Sequence, residues 1–380
     1  MKFRGLMYAN LFRKKTRLIL IVGCFASALF LFGVLAVVKK AFSGGVEIAG
    51  ADRLLIINRT SIIQPLPLSY RERILKIPGV KQITYANWFG GVYQDERNFF
   101  PQIAVDVENE RTVYPEIVVP DNQWQTFLKD RPGAIAGAAT AKRFGWKVGD
   151  HIPIKGTFIP GVWDFNLDGI YHGSQKDFDE TQFLFHWDYF EEKVPERFKG
   201  KVGWYVIRIA NPEDAVRIIK AIDDEFSNSP YETRTDTEKS FAAGWVKQFG
   251  NIEFLVLTIG GVVFFTLLLV AGNTMAIAVR ERTAEMAVLK AVGYSDRFVM
   301  LMVLLESLTI AAVGGIVGVA LAKALTLLGN PLPNVLPMFY LPSMAVLSGL
   351  GIAVAIGAVS GIIPAVGAMR LRVVDALRRV

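Results

Sequence analysis

Cysteine and histidine are scarce in this chain of 380 residues, which has one cysteine and three histidines. Cys24 stands alone and cannot form an intrachain disulfide, so packing has to hold any folded domain together. His151, His172 and His186 lack the close pairing of zinc ligands, and no G-x-S-x-G nucleophile motif occurs. We therefore predict no catalytic residue and no metal site.

Four long apolar runs divide the chain. They cover residues 18–38, 254–278, 298–322 and 343–366. Each is long enough for a helix that crosses a bilayer core of roughly 30 Å, which takes about 20 residues. The polar segment 39–250 lies between the first two runs and is long enough to bury a core of its own. The sequence predicts a membrane protein with four transmembrane α-helices and a large domain between helices 1 and 2.

Positive charge is concentrated near the ends of these runs. Six basic and no acidic residues precede the first run, whereas residues 39–250 hold 27 basic and 29 acidic residues. An excess of lysine and arginine marks the cytoplasmic end of a membrane helix. We therefore expect the N-terminus (1–17), the loop 279–297 and the tail 367–380 in the cytoplasm, and 39–250 and the loop 326–342 outside. At this boundary the basic excess meets anionic membrane lipid, and we expect no nucleic-acid partner.

Residues 39–250 alternate strand and helix signals without a regular βαβ repeat, which predicts an α+β extracytoplasmic domain. We expect strands at 54–58, 82–85, 103–107, 151–154 and 204–209, and helices at 69–76, at 122–129 and from Pro212. Phe241, Trp245 and Phe249 recur at helical spacing. They predict that the second membrane helix begins well before its apolar run and packs on the large domain.

Aromatic residues are numerous between residues 140 and 205. We interpret most of them as core, with the alternative that some line an apolar binding surface. Asp177, Asp179 and Glu180 form a small acidic cluster near His172, which we interpret as a solvated loop rather than a metal site.

The third apolar run combines small residues with one acid. Gly314, Gly315 and Gly318 form a small-residue face of the kind that lets two membrane helices approach closely. Glu306 lies in the same run, and an ionisable side chain there usually faces the bundle interior. We predict a helix-packing role for all four. A proton relay would need further acids or histidines in the other three runs, which have none.

The loop between the second and third runs is the most informative stretch. Residues 280–293 read R-E-R-T-A-E-M-A-V-L-K-A-V-G and are amphipathic at helical period. Met286, Leu289 and Val292 or Gly293 lie on one side, and Glu281 and Glu285 lie on another. The segment resembles the E-R-T-x-E-[IM]-x-x-L-[KR]-A-[LV]-G signature of the FtsX-like permeases, the MacB superfamily of ABC transporters. It also has the family's position between helices 2 and 3.

Further segments extend this resemblance over nearly the whole chain. Residues 10–17 are similar to the family's N-L-x-R-x-K-x-R entry into helix 1, and residues 77–80 to the I-P-G-V of its extracytoplasmic domain. Residues 141–150 resemble its A-K-x-x-G-x-x-V-G-D segment. Residues 364–378 resemble its closing P-A…P-V-E-A-L-R, with valine for the second proline and aspartate for the glutamate. The chain resembles a DevC- or MacB-like (type VII) permease without a fused ATPase domain.

The resemblance implies a non-catalytic permease subunit in the bacterial cytoplasmic (inner) membrane. The chain has no G-x-x-x-x-G-K-[ST] phosphate loop, so ATP and Mg²⁺ are expected on a separate cytoplasmic ABC ATPase. The loop 279–297 is expected to act as a coupling helix on that ATPase, with charged residues at the rim of the contact and apolar ones in a groove. The expected docking residues are Glu281, Arg282, Glu285, Met286, Leu289 and Gly293.

For the function, the resemblance implies export of a hydrophobic or amphipathic substrate. ATP-driven motion would pass through the helices to the periplasmic domain, with a periplasmic membrane-fusion adaptor and a homodimer or a paired permease. One alternative is a lipoprotein- or lipid-extracting permease of the LolC/LolE kind. Another is an FtsX-like activator of cell-wall hydrolases, whose outer domain tends to be smaller than the one expected here.

Overall fold

The computed structural model describes residues 14–48, 50–175, 178–248, 250–331, 336 and 339–371. Four of its helices are long and apolar enough to cross a membrane: Lys15–Ser43, Ile252–Glu281, Asp296–Leu327 and Ser343–Met369. An α/β domain lies between the first and second of them in the chain. The predicted fold class is therefore confirmed, and the protein is a membrane protein.

Several sequence predictions fall outside the described residues. They concern residues 1–13 and 372–380, part of the proline-rich loop (332–335, 337 and 338), Asp177 and Phe249. The described residues form two compact units. The unit with residues 14–40, 251–331 and 339–371 is called the bundle, and the unit with residues 41–48, 50–175, 178–248, 250 and 336 is called the large domain.

The elements are numbered in chain order. The helices are α1 (Lys15–Ile48), α2 (Tyr70–Leu75), α3 (Val107–Val113), α4 (Asp121–Lys129), α5 (Ala138–Phe144), α6 (Trp187–Lys193), α7 (Ala215–Glu225), α8 (Glu238–Gln248), α9 (Ile252–Glu281), α10 (Thr283–Ala291), α11 (Asp296–Leu327) and α12 (Ser343–Met369). The strands are β1 (Arg53–Asn58), β2 (Leu66–Pro67), β3 (Val80–Trp88), β4 (Gly91–Val92), β5 (Gln102–Val105), β6 (Ile117–Val118), β7 (Gly133–Gly137), β8 (His151–Gly156), β9 (Gly161–Gly173), β10 (Phe183–His186), β11 (Lys201–Val202), β12 (Trp204–Ile209) and β13 (Thr233–Thr237).

The large domain is built on a mixed sheet in the order β13-β1-β12-β3-β5-β10-β7-β9-β8-β4, with β6 paired to β9. The pairs β5–β10 and β7–β9 are parallel, and the other pairs of this sheet are antiparallel. Strands β2 and β11 form a separate ribbon. The mixture of parallel and antiparallel pairs explains why the sequence lacks a regular βαβ repeat.

Both faces of the sheet are buried. Because side chains alternate along a strand, Leu54 and Ile56 of β1 join one core, which includes residues of α2 and α7. Leu55 and Ile57 join another, with Val113 of α3 and Phe241 of α8 packed there. All six residues of β1 are consequently buried.

The predicted continuous entry into the second membrane helix is wrong. Helix α8 ends at Gln248 and α9 begins at Ile252, with Gly250 between them at φ +91°. Because that backbone conformation cannot continue a right-handed helix, the chain breaks there. Asn251 is the N-cap residue of α9, and its side chain accepts a hydrogen bond from the backbone N–H of Phe254 at 2.9 Å.

Candidate functional site

Helix α10 is a short element between two sharply defined turns. Arg282 separates it from α9 with a non-helical backbone. At its other end Gly293 has φ +101°, the Gly293 N–H donates to the carbonyl of Lys290, and the Tyr294 N–H donates to the carbonyl of Leu289 at 3.1 Å. This is a Schellman helix end, in which the left-handed position favours glycine. The residues of the sequence signature therefore set the length of α10.

A buried ion pair fixes the first of these turns to α11. Nη1 of Arg282 lies 2.9 Å from Oε2 of Glu306, and the two side chains are only 8% and 9% exposed. Buried charges are tolerated when they are paired at hydrogen-bond distance. Glu306 therefore faces the bundle interior and holds the start of α10.

Lys290 fastens the other half of α10. Its Nζ donates to the backbone carbonyls of Met369, at 2.7 Å, and Leu371, at 3.0 Å. It also lies 2.7 Å from Oδ1 of Asp296, and the lysine side chain is 6% exposed. The last carbonyls of a helix lack partners within that helix, so a lysine that binds them stabilises its end. Lys290 thus links α10 to the end of α12.

A third contact joins the end of α9 to the start of α1. Glu281 lies 2.8 Å from Nζ of Lys14 and 2.7 Å from Nη1 of Arg17. The glutamate is partly exposed, so water and salt screen this contact more than they screen the buried pair. Together the three contacts connect the segment around α10 to α1, α11 and α12.

The outward face of α10 is partly apolar. Glu285 is exposed, and one and two turns further along Val288 and Val292 are 51% and 74% exposed. Tyr294 beyond the helix is 46% exposed and stacks on Phe298. Exposed apolar side chains next to a charged one, at helical spacing, form a surface suited to a protein partner.

The expected docking residues occupy three environments. Glu281, Glu285 and Gly293 are exposed and Leu289 is half-buried. Arg282 and Met286, however, are buried, Met286 in the core of the bundle. A contact at the rim for Arg282, or in a partner's groove for Met286, does not fit these positions, because both side chains are engaged inside the bundle. For the other four the docking role stays a prediction.

Sequence reasoning missed Lys290 as an anchor and placed Val292 on the same side as Met286. The signal for Val288 and Val292 was present, since they follow Glu285 by three and seven residues and so share its face. The signal for Lys290 was absent, because its partners are backbone carbonyls about eighty residues away.

The glycines of α11 lie at its closest approaches to other helices. A Cβ added at Gly314 would overlap Phe25 of α1, and one at Gly318 would overlap the carbonyl of Ala26. A Cβ at Gly315 would lie 2.7 Å from that of Ala353 on α12. Larger residues there would force the helices apart. Among the described residues, no group of three or more histidines, cysteines or acids could hold a metal ion.

Comparison with known proteins matches part of this bundle to a family model. Residues 257–373 match the family model of the FtsX-like permease C-terminal domain. The ABC transporter permease YtrF of Bacillus subtilis is 25% identical over 237 residues, which cover 57% of this chain and 53% of that protein. An uncharacterized ABC transporter permease of Methanocaldococcus jannaschii is 22% identical over 98% of this chain and 96% of its own length.

The macrolide export ATP-binding/permease protein MacB of Neisseria meningitidis is 28% identical over 43% of this chain. The chain spans about half the length of YtrF and 24% of that MacB. A solved structure, the periplasmic region of MacB from Actinobacillus actinomycetemcomitans, is 11% identical with a TM-score of 0.37, over 52% of this chain and 94% of that one. That likeness is too weak to carry an argument.

The matched region includes α10, α11 and α12 and most of α9. The chain is therefore a membrane protein whose residues 257–373 match an FtsX-like permease C-terminal domain. It is similar to ABC transporter permeases, MacB among them.

Proposed function

We propose that this chain is the permease subunit of an ABC transporter and that a cytoplasmic ATPase docks on the exposed face of α10. One observation carries the proposal. Helix α10 is fastened inward by Arg282 and Lys290, while Glu285, Val288 and Val292 face outward. A helix held on one side and exposed on the other can pass a partner's movement into the bundle.

In this mechanism, ATP-driven closure of the ATPase pushes on α10. The three contacts then shift α11, α12 and α1 with it, because each joins a different helix to the α10 segment. Helix α1 runs unbroken from Lys15 to Ile48, and the large domain begins within it at Ala41. We propose that α1 and α9 carry the displacement to the large domain. Such coupling requires different contacts in the two nucleotide states.

The remaining parts of the proposal concern orientation and cargo. The proposed orientation has both termini and α10 in the cytoplasm of a bacterium and the large domain in the periplasm, since basic residues cluster before the first apolar run. The proposed activity is export of a hydrophobic or amphipathic substrate. It would use a homodimer or a paired permease and a periplasmic adaptor, with ATP and Mg²⁺ on the ATPase.

The test is recovery of the ATPase with the full chain. The tagged protein, expressed at native level and solubilised in detergent, is purified together with its partners, which are identified by mass spectrometry. We expect an ABC ATPase in stoichiometric amount. Glu285→Arg and Val288→Asp should each remove most of it, because they place a reversed or buried charge in the contact.

Two surface substitutions in the large domain serve as controls. Glu72→Arg reverses an exposed glutamate, and Val216→Asp adds an acid at a valine that is 80% exposed. Both controls should retain the ATPase. Recovery of wild-type amounts with Glu285→Arg and Val288→Asp would place the docking surface elsewhere, and absence of any ATPase from the wild-type preparation would contradict the proposed function.

A further inference from the structure

The large domain has a cavity of about 330 Å³ that the transport mechanism above does not use. Its floor is apolar and comes from neighbouring strands, with Ala86 of β3, Val105 of β5 and Val206 of β12 among the lining residues. Its walls come from α3, α8 and the loop before β10. The space is large enough for a small organic molecule.

The charged groups of the cavity are mostly acidic. Glu110, Asp179 and Glu238 line it, and Arg53 is the one basic residue among the described lining residues. Arg53 forms two ion pairs: its Nε lies 2.6 Å from Oε2 of Glu238, and its Nη1 lies 2.8 Å from Oε1 of Glu116. Two carboxylates thus share one guanidinium, and the cavity keeps a surplus of negative charge.

Glu110 shows the effect of this surplus. Its Oε2 accepts a hydrogen bond from Oγ1 of Thr84 at 2.7 Å, and Oε1 has no hydrogen-bond partner among the described residues. Burial, together with Asp106 and Glu238, raises the pKa of Glu110 to about 8, although Arg53 acts in the opposite direction. Glu110 therefore carries a proton at neutral pH, which a nearby positive charge would displace.

Three aromatic side chains complete the lining: Tyr114, Phe178 and Trp204. Aromatic faces attract cations through the ring quadrupole, and cages of such rings recognise substituted ammonium groups. One face of Tyr114 is already used by Arg53, whose guanidinium carbon lies 4.7 Å from the ring centre. An apolar floor, aromatic walls and surplus carboxylates are together the chemistry of an organic-cation site.

We propose that this cavity binds an organic cation, an ammonium group with an apolar body of about the size of a benzyl group. The site goes beyond the proposed function, because binding here needs neither the ATPase nor nucleotide. Binding of the cation is coupled to loss of the proton from Glu110. The charged and titratable groups that face Glu110 are Arg53 of β1, Asp106 before α3, Tyr114 after α3 and Glu238 of α8. A bound cation adds a positive charge to this set and lowers the pKa of Glu110.

The experiment is calorimetric titration of the full chain in detergent at pH 7, without nucleotide. The probe is benzyltrimethylammonium, whose charge does not depend on pH, and the size-matched probes are neutral benzyl alcohol and anionic phenylacetate. We expect the cation to bind at least tenfold more tightly than either. Titration in buffers of different ionisation enthalpy should show protons released on binding, and Glu110→Gln should abolish the release, because glutamine has no proton to lose.

A matched pair of variants locates the binding. Ala242 lines the cavity and Ala243, its neighbour on α8, is not among the lining residues; both are half-buried. Ala242→Phe should fill the space and lower the affinity for the cation at least tenfold, while Ala243→Phe should leave that affinity unchanged. The proposal is overturned if the cation does not bind, if the neutral or anionic probe binds as tightly, or if Ala242→Phe and Ala243→Phe bind alike.

Discussion

Nη1 of Arg282 lies 2.9 Å from Oε2 of Glu306, and both side chains are almost completely buried in the bundle. The arginine belongs to the turn before α10 and the glutamate to α11, and the two residues are 24 positions apart in the chain. A buried pair of this kind costs free energy to desolvate, and removal of one partner leaves a charge that nothing compensates.

The first prediction concerns removal of one partner of this pair compared with removal of both. Arg282→Met should lower the free energy of unfolding by about 3–5 kcal/mol, because it leaves the Glu306 carboxylate buried and unpaired. The double variant Arg282→Met/Glu306→Leu should recover most of the loss. Thermal unfolding of the full chain in detergent measures both. A double variant no more stable than the single one would show that the arginine acts through its packing and not through the pair.

Lys290 gives the second prediction. Lys290→Met keeps the apolar stem of the side chain but removes the donor to the carbonyls of Met369 and Leu371. The attachment of α10 to the end of α12 should weaken, and hydrogen exchange of the α10 amides should become at least several-fold faster. Lys323→Met, at an exposed lysine of α11, is the control. Equal exchange in α10 for both variants would mean that Lys290 is not an anchor.

The sequence predicted the elements whose signal is local. Strand β12 was predicted with its observed bounds, Trp204–Ile209, and α4 differs by one residue at its start. Strand β5 ends at Val105, two residues earlier than predicted, because Asp106 is the N-cap residue of α3. The strands β7, β9, β10 and β13 were missed. β7 is the small-residue stretch G-A-I-A-G, buried throughout, so no alternation of polar and apolar residues marks it.

The candidate site was predictable in its position but not in its contacts. The signature located α10 between α9 and α11, and the depth of Glu306 in an apolar run indicated an interior role. Arg282, adjacent to Glu281 in a charged segment, gave no sign that it would turn inward, because burial of a charge depends on a partner distant in the chain. The cavity of the large domain was likewise hidden, since its lining comes from separate strands and helices.

The third prediction concerns packing between α11 and α1. Gly318→Leu should destabilise the full chain by about 2–4 kcal/mol, since even a Cβ there overlaps the carbonyl of Ala26 and crowds Leu29. Gly351→Leu on α12 is the matched control, because nothing lies within 4 Å of a Cβ added at that position. Thermal unfolding in detergent measures both. Equal stability of the two variants would contradict close packing at Gly318.

The fourth prediction is a pH dependence that originates in Glu110. Burial raises its pKa from the ordinary 4.5 to about 8, so the folded protein holds a proton that the unfolded chain releases above pH 4.5. The contribution of Glu110 to the free energy of unfolding is therefore fully present below about pH 4.5. It is lost as the pH rises toward 8, by up to about 5 kcal/mol. Glu110→Gln, which mimics the protonated acid, should remove this decline between pH 5 and 8.

The control for this effect is Glu108→Gln, which changes an exposed glutamate of the same helix. Denaturant unfolding of the full chain at several pH values, followed by a signal from the large domain, separates the two variants. Glu108→Gln should keep the wild-type slope of stability against pH, because an exposed glutamate is solvated in both states. If Glu110→Gln keeps that slope as well, Glu110 is ionised at neutral pH, and the proton release expected when a cation enters the cavity would also be absent.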